Sequence, residues 1–290
     1  MDQAQQLRNI IKANQQRPLA RVITVTSGKG GVGKSNTAIN LAVQFRKMGQ
    51  KVIILDADFG LANIEIMFGT VPKHNLCDLI YHGKNIKDII TWGPGEIGFI
   101  SGGSGIAGLS NLSRDYLIYI IQNLAQLDEI ADVIIVDTGA GISEAVLEFL
   151  VASGEILLVT TPEPTSITDS YSLLKALARH PRYSKEETKI KVIANRVEEV
   201  EDGDALFNKL NVVVERYLDI PLTYLGAIPK DDKLSDAVMQ QMPVALQNPN
   251  AKSARAFEGM AAQLMNIELN RDIKKRGMAA FFSHLMAKKQ

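Results

Sequence analysis

The segment Gly28-Lys29-Gly30-Gly31-Val32-Gly33-Lys34-Ser35 follows an apolar run, Val22–Thr26, and leads into a stretch of helical pattern, Ser35–Met48. That order matches G-x-x-x-x-G-K-[ST] in the strand–loop–helix setting that gives the motif its meaning. Glycines let backbone N–H groups curl around phosphate oxygens, and the helix N-terminus adds the positive end of its dipole. The spacing places Lys34 at the β- and γ-phosphates and Ser35 on Mg²⁺. A phosphate loop of this kind sits in an open α/β sheet, and the remaining chain reads as one.

Further apolar runs occur at Val52–Leu55, Ile97–Ile100, Val133–Val136, Ile156–Thr160, Ile190–Ala194 and Leu222–Ile228. They are continuous rather than alternating, as in strands buried on both faces. Helical stretches such as Ser113–Leu127 and Ser166–Arg179 lie between them. The expected fold is a doubly wound α/β domain with a mostly parallel sheet and helices on both faces. Gln247–Ser253 reads as a short linker, followed by a helical Ala254–Asn270.

Two aspartate-bearing segments end strands. Asp56 and Asp58 follow the second run, where alternation puts both on one side of an extended chain. Asp137 ends Val133–Val136 and is followed by Thr138-Gly139-Ala140-Gly141. Open α/β sheets bind ligands at such strand ends. Asn195 follows Ile190–Ala194, and a carboxamide both donates and accepts hydrogen bonds. The segment Asn208-Lys209-Leu210-Asn211 misses the guanine signature N-K-x-D in its last residue, so ATP is favoured over GTP.

Composition narrows the class. The 290 residues carry zero formal net charge and one cysteine, Cys77. A disulfide framework is excluded, and a reducing cytosol is expected. No run reaches transmembrane length. Charge is nevertheless unevenly spread: from Asn270 to Gln290 the sum is +5, leaving −5 for the body. In the same tail Met278, Phe281, Phe282, Leu285 and Met286 recur at helical spacing as one apolar stripe, with Ser283, His284 and Ala287 opposite. Such a helix suits an anionic membrane interface, through Phe281, Phe282 and Leu285. A helix docked on its own core is the alternative.

The early lysine, Lys29 in GKGGVGKS, is the mark of the deviant Walker-A group, and the chain resembles MinD-type and ParA-type ATPases over nearly its whole length. The resemblance implies an ATP-dependent homodimer in which Lys29 reaches the partner's phosphates. It implies Lys29, Lys34 and Asp58 as catalytic residues, Asp58 orienting the attacking water. It places Mg²⁺ with Ser35, Asp56 and Asp137. It places ATP or ADP against Gly28, Lys29, Gly30, Gly31, Val32, Gly33, Lys34, Ser35, Asn36, Asn195, Pro229 and Asp231, and Asp169 near the dimer interface.

Asp2-Gln3-Ala4-Gln5-Gln6-Leu7-Arg8 resembles the N-terminal activating motif of MinD-like regulators of flagellar number. That likeness implies a signal-recognition-type flagellar GTPase as partner through the Gln3 segment, with a flagellar transcription activator and a basal-body switch protein as further partners. The expected organisation is a partner-activating segment at 1–20, an ATPase domain at 21–270 and a basic amphipathic helix at 271–290. The expected location is the cytoplasmic face of the membrane, at a pole, with no direct nucleic-acid partner. A DNA-partitioning ATPase and a cell-division-site ATPase remain alternatives. One cysteine excludes the iron–sulfur and metal-efflux branches. Metabolic ligases with related loops generally lack the early lysine.

Overall fold

The computed structural model describes residues 19–58, 63–102, 123–267 and 277–286. Its strands are β1 (Arg21–Ser27), β2 (Val52–Ala57), β3 (Thr91–Gly93), β4 (Ile97–Ser101), β5 (Val133–Ala140), β6 (Glu155–Thr160), β7 (Lys189–Val197) and β8 (Leu222–Pro229). They form one sheet in the order β3-β4-β2-β5-β1-β6-β7-β8, parallel throughout except for the antiparallel edge pair β3/β4. All seven apolar runs lie inside strands. The three-residue β3 was not expected, because its Thr-Trp-Gly carries neither an apolar run nor a buried face.

The helices are α1 (Lys34–Lys47), α2 (Asn63–Phe68), α3 (Leu76–Tyr81), α4 (Leu127–Ile130), α5 (Glu144–Ala152), α6 (Pro164–Ala178), α7 (Asp202–Leu218), α8 (Asp232–Met239), α9 (Val244–Gln247), α10 (Lys252–Ile267) and α11 (Met278–Met286). Local chemistry sets several of their starts. Ser143 caps α5, Asn75 and Asp78 form a capping box on α3, and Pro164 opens α6, where its missing N–H costs nothing. The expected helix Ser113–Leu127 lies mostly outside the described residues, as does the N-terminal segment with Asp2, Gln3 and Gln6.

Alternate residues of one strand feed opposite faces. Ile23, Val25, Val52, Ile54, Val133 and Ile135 pack with α1 and α10. Val22, Ile53, Leu55, Ile134 and Val136 pack with α3, α5 and α11. This is the three-layer sandwich that continuous apolar strands require.

One expectation changes here, and one of the two alternatives for the tail is seen. Gln247–Ser253 is not a free linker: Ala251 and Ser253 are buried, and Ser253 bonds to Asp231 through its N–H (3.0 Å) and its hydroxyl (2.8 Å). The tail helix α11 lies on the protein. Met278, Phe281 and Phe282 are buried, and Phe281 packs on Phe149 of α5 with ring centroids 5.9 Å apart. Ser283 and His284 face outward, so the stripe is where the spacing put it, covered by the sheet's own core.

Candidate functional site

The C-terminal ends of β1, β2, β5, β7 and β8 surround a cavity of about 1000 Å³. Gly30, Gly31, Gly33, Lys34, Ser35, Asn36, Asp58, Asn195, Pro229 and Asp231 line it, ten of the expected site residues in one place. Met67, Leu234, Val238 and Phe257 add an apolar part to its lining. Gly30 and Gly31 face open space where a Cβ would meet nothing within 4 Å, and Gly31 and Gly33 are left-handed, with φ of 77° and 92°. Side chains at those turns would strain the loop.

Lys34 begins α1. Its Nζ donates to Asp137 Oδ1 at 2.8 Å, and both groups are buried. A second, longer contact reaches Ser35 Oγ at 3.4 Å, which leaves the ammonium one further donor. Asp137 Oδ2 is buried and makes no hydrogen bond among the described residues. Burial raises the Asp137 carboxyl above its ordinary range, with the Lys34 charge opposing. A buried carboxylate oxygen without a partner, beside the loop hydroxyl of Ser35, is a donor set that fits a hard divalent cation.

The other expected residues are placed differently. Asp56 pairs with Asp137 across β2 and β5 but turns its carboxylate to backbone, accepting from Asp58 N (3.1 Å) and Ile64 N (3.4 Å). Burial, followed by the charge of Asp137, pushes its pKa up to about 7. Asp56 therefore shapes the chain around Asp58, with one backbone N–H on each of its carboxylate oxygens. Asp58 does line the cavity, and Asn63 Nδ2 donates to it at 3.2 Å.

Lys29 points to Glu163 Oε2 (2.7 Å) and Thr165 Oγ1 (2.8 Å) of its own chain. Gly28 packs directly on the backbone of Asp169, which seats the loop against α6. Val32 is buried in the core under the loop. Asp231 caps α8 through Lys233 N (3.0 Å) and holds Ser253, so its carboxylate is structural as well as cavity-lining. Sequence reasoning missed Glu163 and Thr165 as partners of Lys29; the contact spans 134 positions and no local pattern announces it.

A family model described as the CobQ/CobB/MinD/ParA nucleotide binding domain matches residues 23–244. The chain belongs to this family. It is a MinD/ParA-type ATPase. The antiactivator FleN of Pseudomonas aeruginosa is 38% identical to it over 262 residues, covering 90% of this chain and 91% of FleN. The flagellum site-determining protein YlxH of Helicobacter pylori is 34% identical over 270 residues, covering 92% and 90%. The septum site-determining protein MinD of Pyrococcus horikoshii, solved in complex with Mg-ADP, shares the fold, with a TM-score of 0.66 at 24% identity over 86% of this chain and 98% of that one.

Proposed function

We propose that this MinD/ParA-type ATPase is a dimerising switch that limits the number or placement of flagella. The observation that carries the reading is the single cavity joining the open glycine cradle, Lys34 and Asp58, in a chain similar to FleN and YlxH along most of its length. Mg²⁺ with ATP is the ligand the residues fit. Ser35 and Asp137 would hold the ion, and Asn195 and Pro229, which line the same cavity, would meet the base. A bound magnesium ion neutralises phosphate charge as it develops. The chain's own part is to hold the phosphates on the loop N–H groups, to hold Lys34 beside Asp137, and to position a water with the Asp58 carboxylate.

Lys29 is the residue that leaves its own chain. Its present partners, Glu163 and Thr165, are exposed and polar, so a partner's phosphates compete for it against a screened ion pair of low worth. The flagellar GTPase, the transcription activator and the basal-body protein are proposed partners on the resemblance of the N-terminal segment and the likeness to FleN. The membrane is proposed as the destination of α11 after dimerisation. That reading is supported by the aromatic stripe and the +5 tail charge, and requires α11 to leave the core.

Size-exclusion chromatography with ATP tests the switch. Asp58→Ala should bind ATP, lose hydrolysis and elute as a dimer, whereas Lys29→Ala should bind ATP and stay monomeric. The reverse pattern would refute the assignments. A strain carrying Lys29→Ala should show extra or misplaced flagella when cells are counted.

A further inference from the structure

We infer that Asn195 is a positioning residue for the phosphate loop, bracing the Val32–Gly33 peptide so that the start of α1 faces the phosphates. The inference rests on reading the cavity as the nucleotide site. Asn195 ends β7 and is buried, 4% exposed. Its Nδ2 donates to the Val32 carbonyl at 2.7 Å, across 163 positions of sequence. Its Oδ1 accepts from Arg196 N at 2.9 Å.

Gly33 completes the fit. A Cβ there would stand 2.3 Å from Asn195 Nδ2, so the carboxamide fills the space that the glycine leaves. Gly33 is also the N-cap of α1 and supplies no side-chain cap. Its carbonyl takes both Thr37 N and Thr37 Oγ1, each at 2.9 Å, which begins the helix. The peptide immediately before that carbonyl is thus fixed from outside the helix, by Asn195. One N–H and one lone pair of the carboxamide remain for a base. Base and phosphate grip then share one rigid group.

Amide hydrogen exchange on the nucleotide-free protein tests this, because no base is present to be read. Asn195→Ala should speed exchange across residues 31–38 about tenfold, the size of one buried hydrogen bond. Asn195→Asp has the same shape but no N–H donor, so it should match Asn195→Ala; restored protection in Asn195→Asp would mean packing alone and would overturn the brace. Affinity for Mg-ITP, whose base lacks the 6-amino group, should fall in Asn195→Ala as well as that for Mg-ATP, because the braced loop serves both. Unchanged loop exchange together with lost preference for ATP over ITP would make Asn195 a base reader only. Should Asn195→Ala fail to fold, Asn195→Ser, too short to reach Val32, takes its place. Failure of the wild-type chain to bind ATP would defeat the nucleotide reading itself, while the exchange result would still decide whether the loop is braced.

Discussion

A methyl group at residue 28 would stand 2.2 Å from the backbone carbon of Asp169 and 2.4 Å from Ser170 N. Neither atom can give way without moving α6, so Gly28→Ala should cost about 1–3 kcal/mol, the range of an overpacked core. Chemical denaturation checks it, and an unchanged midpoint would show that the loop does not seat on α6. At this scale the sequence was explicit about the glycines, Lys34 and Ser35, because their spacing encodes the loop directly. It was silent on Glu163, Thr165 and the Val32–Asn195 bond, since those partners meet only after the sheet has formed. For Asp56, alternation correctly put its strand end near the phosphate face. It could not show that the N–H groups of Asp58 and Ile64 would each bond one of its oxygens.

Helix α11 is held at both ends by side chains from other elements. At its N-terminus Asp128 of α4 accepts from Met278 N at 2.9 Å, and Gly277 N donates to Ala20 O at 3.2 Å. At the other end Arg182 donates to His284 O while paired with Glu148 of α5, on which His180 also lies. An acid at the start and a cation at the end match the helix dipole, each contributing about 0.3–1 kcal/mol. The two aromatic rings add about 1.5–3 kcal/mol each through burial. Burial pushes the Asp128 pKa up to about 6, against backbone N–H groups that favour its charge. A carboxyl raised in the docked state contributes docking free energy below the ordinary carboxylate range and loses it as pH rises through 6. Protection of the α11 amides, corrected for intrinsic exchange, should therefore be greater at pH 5 than at pH 7.5. Asp128→Asn should flatten the Asp128 share of that dependence, and an unaltered profile would rule Asp128 out as its source. Helical periodicity had found the stripe but not its cover. The same spacing serves a lipid surface and a protein groove, and Phe149 and Asp128 are distant in sequence.

At the scale of the molecule, the chain divides its charge into an acidic body and a basic end of +5. If ATP-bound dimers present that end to a membrane, vesicles containing anionic lipid should retain the protein with ATP, and retention should fall as salt shortens the Debye length. Phe282→Glu should abolish it; retention equal to wild type would place lipid contact elsewhere. The sheet order was legible in kind, a mostly parallel doubly wound sheet, because seven uninterrupted apolar runs admit little else. The antiparallel edge at β3 was not, since Trp92 is exposed there and a three-residue strand on a border leaves no periodic trace.

The docked tail has a consequence for durability. Phe281 and Phe282 belong to the same core as Leu55, Ile134 and Phe149, so the part of the chain proposed to depart is also part of what keeps the remainder folded. Departure strips a face of α5 and the sheet of its cover. Unless lipid or a partner shields that face, a released molecule is the more readily unfolded, proteolysed or aggregated one. Signalling and survival then draw on the same few side chains, and the working lifetime of the active form is set by how soon the helix returns.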